Sequence, residues 1–180
     1  MLNWNPEGDY PEIDKTAYID PTAVMMGKVK IGKNVFIGPG AVLRADEPKS
    51  SIIINDNCNV QDKVIIHALE NTSVLIEENT SLTHGCIIHG PCKIGRNSFV
   101  GFGSVVFGAT LGQGAIIKHL ALVENADVPP YTVVESRQVV NDKDAARRLE
   151  CADKEIRLFS KNVLKTNLEL VKRYKGQGKK

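Results

Sequence analysis

Aromatic side chains are scarce in this sequence: one tryptophan, four tyrosines and five phenylalanines in 180 residues. A core filled by large rings is thereby excluded, so its volume has to come from aliphatic residues. No apolar run approaches the roughly 20 residues that cross a bilayer, and no membrane partner is expected. Excess charge is missing as well. Lys and Arg total 23 against 21 Asp and Glu, a formal net charge of +2, which leaves no electrostatic footprint for nucleic acid. Only Lys172, Arg173, Lys175, Lys179 and Lys180 form a basic cluster, and 175–180 reads as a solvated, frayed tail. The start, Met1-Leu2-Asn3-Trp4-Asn5-Pro6, has neither the basic residues nor the apolar stretch of an export signal, so a cytoplasmic location is expected.

What the chain has in abundance is a six-residue period. Aliphatic residues recur at Ile19, Met25, Ile31, Ile37 and Leu43, then at Ile54, Val60 and Ile66. They resume at Ile76, Leu82, Ile88, Ile94, Val100 and Val106, and end at Leu111, Ile117 and Val123. This period marks a parallel β-helix, an all-β solenoid whose coils stack into one continuous core. Residues 1–18, with Pro6, Gly8 and Pro11, read as a lead-in, and 19–135 as the solenoid. Val128-Pro129-Pro130 stops the rungs, because proline donates no ladder hydrogen bond. Past it the period becomes helical: Leu149, Ala152, Ile156, Phe159 and Val163, then Leu164, Leu168 and Val171 on a shifted face. The spacing predicts a helix over 141–174, with room for a break, capped by Asn141 or Asp142 and packed on the solenoid.

Four cysteines raise the question of metal or disulfides. Cys58, Cys86 and Cys92 each lie four residues after a rung, a phase shared with Ala23, Val29, Val35, Ala41, Val64, Thr80, Ser98, Ser104, Thr110, Ala115 and Ala121. That phase faces inward, so these thiols read as small core residues.

Three rungs make one coil, which gives the solenoid three faces. Ile31, Ile54 and Ile76 lie on face one. Ile37, Val60 and Leu82 lie on face two, and Leu43, Ile66 and Ile88 on face three. Two interruptions, Asp46 to Ile53 and Ala68 to Leu75, both follow a face-three rung, so they stack as neighbouring loops at one corner. Arg44, His67 and His89 each directly follow a face-three rung and form one outward column. Equivalent positions on successive coils are about 4.8 Å apart, so two imidazoles in that column reach one metal. His84 and Asp62, each two residues after a face-two rung, belong to another column. His84 joins the pair only from another copy of the chain, and a closed three-fold ring supplies it three times. The register therefore predicts a homotrimer with a metal at each boundary. His119, about 9.6 Å above His84, reads as an interface or surface residue.

The segments Arg44-Ala45-Asp46-Glu47, Asn59-Val60-Gln61-Asp62, His67-Ala68-Leu69-Glu70 and His84-Gly85-Cys86-Ile87-Ile88-His89-Gly90-Pro91 resemble the γ-class carbonic anhydrases over roughly residues 12–135. The resemblance implies a left-handed parallel β-helix with a C-terminal helix. It implies a homotrimer with one divalent ion per active site, Zn2+ first, with Fe2+ or Co2+ accepted by the same ligands. The ligands would be His67 and His89 from one subunit and His84 from its neighbour. Gln61 would orient the attacking hydroxide, Asn59 would support Gln61, and Glu47 and Glu70 would assist catalysis, the latter as proton carrier. Arg44 would pair with Asp46 and Asp62 at the boundary. The implied activity is reversible hydration of carbon dioxide to bicarbonate by hydroxide generated on the metal near pH 7 instead of about 15.7. One departure stands out: the segment Glu70-Asn71-Thr72-Ser73 is short where the best-studied members carry a long acidic loop. Two other readings remain open here: a non-catalytic or weakly active metal-binding scaffold, and acyl transfer from coenzyme A as in other hexapeptide-repeat proteins.

Overall fold

An aliphatic residue at every sixth position leaves two to four residues of strand per face and a turn at each corner. The computed structural model, which describes residues 1–177, folds in this way. Three parallel sheets form the sides of a prism. Face three has eight strands, from Leu2–Asn3 to Val139–Val140. Face one has seven, from Glu12–Ile13 to Asp127–Val128, and face two has seven, from Tyr18–Ile19 to Val133–Val134. All the rungs named above are buried except Ile19, which is half-buried at the end of the stack. Each fully buried Ile or Leu contributes about 1.5–3 kcal/mol by leaving water, and no face could be stable without its neighbours above and below.

The corners need a left-handed residue. Asn34, Asn57, Asn79 and Asn97 supply it on successive coils, with φ between 54° and 60°, a region that Asn tolerates better than most side chains. They also link the coils: Asn34 Nδ2 donates to Asn57 Oδ1 (3.2 Å), and Asn57 Nδ2 to Asn79 Oδ1 (3.3 Å). Gly38 has a steric role. A Cβ there would lie 2.8 Å from Asp62 Oδ1 and 3.0 Å from the Asp62 nitrogen, so only glycine lets the Gln61–Asp62 backbone settle onto the coil below.

Several sequence expectations need correction. The lead-in 1–18 is part of the solenoid: Leu2 pairs with Met25 and Ile13 with Ile31, and Pro6, Gly8 and Pro11 only fill the connection between them. Pro129-Pro130 does not end the stack, because it falls at a corner where no ladder donor is needed, and Val134 and Val140 continue the rungs. The step from Val106 to Leu111 is five residues instead of six, so Ala109 takes the inward position and Thr110 is exposed. The corner loops are shorter than the broken pattern implied, because Ser51–Ile54 and Ser73–Ile76 are strands.

The helical region is two helices, α1 (Lys143–Arg147) and α2 (Lys154–Gln177). Asp142 caps α1, accepting from the Ala145 nitrogen at 2.7 Å. Between them the chain straightens to pair with the last coil: the Val133 nitrogen donates to the Glu150 oxygen (2.9 Å) and the Ala152 nitrogen to the Tyr131 oxygen (2.7 Å). Asp153 then starts α2 by accepting from the Ile156 nitrogen at 2.8 Å. Of the expected frayed tail, 175–177 is helical and 178–180 lies outside the described residues. α2 crosses face two, where Phe99, Ile116, Val133 and Ala152 form a satellite core with Ile156 and Val163. No helix among the described residues is long and apolar enough to cross a membrane.

Burial pushes the Cys58 and Cys86 thiols up to about 12 and raises that of Cys92, while Cys151 is exposed. A thiol reagent should therefore titrate Cys151 alone in the native protein and the other three only after unfolding, as counted by absorbance with and without denaturant.

Candidate metal centre

The strand ladder sets Arg44, His67 and His89 directly over one another. The result is a close imidazole pair. His67 Nδ1 lies 3.2 Å from His89 Nε2, and the rings meet edge to face with centroids 4.9 Å apart. The two remaining nitrogens, His67 Nε2 and His89 Nδ1, are buried without a hydrogen-bond partner, as is Asp46 Oδ1. Two neutral rings carry two protons for four nitrogens. One proton lies between the rings, so at least one buried lone pair has no donor whichever way it points. A cation taking the leftover lone pair removes the mismatch, so this donor set fits a divalent metal.

The stacked loops bring carboxylates to the pair. The Asn71 nitrogen donates to the Pro48 oxygen at 3.0 Å and the Glu70 nitrogen to Glu47 Oε2 at 2.6 Å, which fastens the upper loop onto the lower. Glu47 Oε1 then stands 3.3 Å and Asp46 Oδ1 3.8 Å from His67 Nε2, neither in hydrogen-bond geometry. Asp46 is held instead by Arg44, whose Nε and terminal nitrogen donate to Oδ2 at 3.2 and 3.0 Å. Burial and the Arg44 guanidinium push the His67 pKa below 6.5 against the pull of Glu47, which keeps the ring neutral as ligation requires.

His84 lies in the turn three residues before the Ile87–His89 strand, exposed at the corner between faces two and three. Among the described residues no three ligand-type side chains are arranged to hold an ion within one chain. Asp62 Oδ2 lies 3.3 Å from His84 Nδ1, so within one chain Asp62 attends His84 and not Arg44. Beside it lies a polar relay. Gln61 Nε2 donates to Asn59 Oδ1 at 3.0 Å, and Asn59 Nδ2 donates to Ser81 Oγ at 2.7 Å. All three are buried. Gln61, Thr83 and His84 form one wall of a groove of about 280 Å³, and Phe99, Phe102 and the α2 residues Phe159, Asn162, Val163, Thr166 and Asn167 form the rest.

The structure thus gathers Arg44, Asp46, Glu47, His67 and His89 at one place and Asn59, Gln61, Asp62 and His84 at another. Glu70 joins the first only through its backbone, and its side chain is exposed. Three participants went unread in the sequence. Ser81 sits one coil above Asn59 and Phe107 one coil above His89, so phase alone was enough to find both. The α2 wall of the groove depends on how the helix crosses face two, which no periodicity encodes.

Comparison with known proteins agrees with the fold and narrows its kin. The model described as "Bacterial transferase hexapeptide (six repeats)" matches residues 10–45 and 73–108, and "Hexapeptide repeat of succinyl-transferase" matches 28–67. The chain is 37% identical over 177 residues to the carboxysome assembly protein CcmM of a Nostoc species, covering 93% of this chain and 32% of that protein. It is 34% identical over 165 residues to the carbonic anhydrase of Methanosarcina thermophila, covering 81% of this chain and 66% of that one. The chain therefore spans less than two thirds of the length of either relative. A crystal structure of a putative acetyltransferase from Bacillus cereus superposes with a TM-score of 0.84 at 25% identity, covering 98% of this chain and 97% of that one. With its three-sheet prism, its hexapeptide rungs and these matches, the chain belongs to the hexapeptide-repeat, left-handed β-helix family, in which its homologues include a carbonic anhydrase.

Proposed function

We propose that this protein hydrates carbon dioxide reversibly to bicarbonate, as a metal-dependent cytoplasmic homotrimer with its reaction sites at the subunit boundaries. The observation that carries this reading is the His67–His89 pair: two imidazoles whose nearest nitrogens lie 3.2 Å apart, each with a buried nitrogen that no described residue satisfies. His67 and His89 of one copy and His84 of the next would hold a divalent ion, Zn2+ or in its place Fe2+ or Co2+. When bound, the ion supplies the positive charge that ionises water near neutral pH. Gln61 commits its amide nitrogen to Asn59, which leaves Oε1 to accept a hydrogen bond from water and aim it. Phe99, Phe102 and Val163 give the adjoining groove the apolar lining that suits a substrate without charge. Glu47 Oε1 is the carboxylate oxygen nearest the pair, placed to take up the released proton, and the exposed Glu70 carboxylate passes it to solvent.

Assembly is supported by face three. Beside the histidine column runs a second outward column, including Val42, Ile65, Ile87, Val105, Leu122 and Val139 on successive coils. The described helices pack on faces one and two and leave it open, and Ile65 and Val139 are 41% and 52% exposed. An aliphatic stripe of this length is what a second copy would bury.

A non-catalytic, metal-binding scaffold is the second reading. It is favoured by the 37% identity to a carboxysome assembly protein and by the exposed, unanchored Glu70 side chain. Stopped-flow hydration assays with metal analysis on the same anaerobically purified sample separate the two: metal without turnover selects the scaffold. Acyl transfer would instead register as acetyl-CoA consumption.

His89→Ala should lose both metal and hydration activity, and a variant that kept its activity would end the proposal. Gln61→Ala should retain metal while kcat falls on the order of 10–100-fold, read by the same two measurements. A third expectation concerns acid. The folded pKa of His67 lies below 6.5, so below that pH the unfolded chain takes up a proton that the folded one resists. The resulting penalty is absent above pH 6.5 and grows as pH falls. Metal-free protein should melt at lower temperature as pH drops from about 7.5 to 5.5, and His67→Asn should flatten that slope, as followed by calorimetry.

A further inference from the structure

The two columns that meet at the proposed boundary continue beyond the metal ligands. Above Arg44, His67 and His89 on face three, the ladder places Phe107 and then Glu124. At the other edge of that face stand Asp62, His84, Phe102 and His119, each five positions before His67, His89, Phe107 and Glu124 respectively. The second column is stacked within the chain. Asp62 Oδ2 lies 3.3 Å from His84 Nδ1, His84 and Phe102 have centroids 5.3 Å apart, and Phe102 and His119 stack at 4.4 Å and 17°. In the first column His89 and Phe107 are 5.2 Å apart.

Their chemistry is complementary step by step. The Phe102 nitrogen donates to His119 Nδ1 at 3.0 Å, so the neutral ring carries its proton on Nε2 as a free donor. Glu124 makes no ion pair or side-chain hydrogen bond among the described residues, so its carboxylate is a free acceptor. Phe102 is 42% exposed, and Phe107 is half-buried.

Rotation about an axis parallel to the solenoid preserves height. If His84 of the partner subunit joins His67 and His89, it lies at a height between them. Both columns rise by the same coil step of about 4.8 Å. The next pair of levels is therefore fixed without further assumption. We infer that Phe102 of one copy packs on Phe107 of its neighbour directly above the shared metal position, and that His119 hydrogen-bonds to Glu124 one coil higher. This rests on the shared-metal reading and deepens it. The ring pair forms an apolar wall that keeps water from the upper side of the site. The His119–Glu124 bond selects the register: a slip of one coil would set His84 against Phe107 and His119 beyond Glu124, breaking the metal site and the polar pair together.

Two measurements on the full chain test this. In a Cys151→Ser background, with zinc present, Phe102→Cys and Phe107→Cys are combined and oxidised mildly. Cross-linked dimers and trimers on a non-reducing gel are expected from the double variant and not from either single one, since a disulfide needs Cβ atoms within about 4.5 Å. Independently, His119→Glu and Glu124→Arg are made singly and together. Each single change should raise the concentration of half-dissociation about tenfold in sedimentation velocity, and the pair should return it to within about threefold of the parent. A metal-loaded trimer that neither cross-links nor shows rescue overturns the register while leaving the shared-metal reading intact. A parent that is monomeric and metal-free overturns both.

Discussion

Hydrogen bonding between parallel strands one coil apart is the constraint on which the rest of this molecule depends. Each strand pairs with its counterparts in the coils above and below, so a residue's chemical neighbours are those at the same phase one coil away. Columns, not segments, are the units of chemistry. His67 and His89 are far apart in sequence, yet the ladder presses their rings to 3.2 Å. No flexible loop has to be ordered for the pair to form, so its entropy is already spent in folding the core.

Faces two and three show what one period can do with different outward residues. On face two, the outward column reads Tyr18, Phe36, Asn59, Ser81, Phe99, Ile116 and Val133. Its apolar ends hold α2: Tyr174 stacks on Tyr18 with centroids 4.5 Å apart, and Phe159 meets Phe99 at 5.8 Å. The polar middle would cost about 1–3 kcal/mol per unsatisfied group if left unpaired. Gln61, Asn59 and Ser81 satisfy one another there, which turns a buried defect into a rigid, oriented amide. On face three one outward column is aliphatic and the other runs through Arg44, His67, His89, Phe107 and Glu124, while the described helices pack on faces one and two. One face is finished within the chain, and in the proposed trimer the other would meet another copy.

Most of this was legible because the solenoid converts numbering into distance. The rungs, the three faces, the stacking of the two loops, the histidine column and the inward phase of Cys58, Cys86 and Cys92 all follow from counting. Reading failed where the count changes or where one structure meets another. The one-residue shortening before Leu111 moved Thr110 outward. Leu2 and Ile13 join the stack across an irregular stretch whose glycine and prolines hide the period. The helix has the break for which its spacing left room, but its place at 148–153 is imposed by pairing with the last coil, a tertiary contact that the spacing does not encode. The direction of the Glu70 side chain was equally invisible, since it depends on how the four-residue turn from Leu69 to Thr72 closes.

That turn shapes the proton path in the proposed reaction. The Thr72 nitrogen and hydroxyl both donate to the Leu69 oxygen, at 3.1 and 2.8 Å, and the Asn71 nitrogen donates to the Pro48 oxygen. The backbone is therefore tied at each step, and only the Glu70 side chain is left loose. Its amide holds Glu47 Oε2, which fixes the other Glu47 oxygen 3.3 Å from His67. In that reaction the two carboxylates would divide the work: Glu47 is held beside the imidazoles, while the Glu70 carboxylate is exposed to water. A long acidic loop would add reach but also the entropy of ordering it. Here a short turn achieves contact with solvent by placing the outer carboxylate at the surface from the start. The cost falls on capacity, because a single exposed carboxylate must hand each proton to buffer before the next arrives.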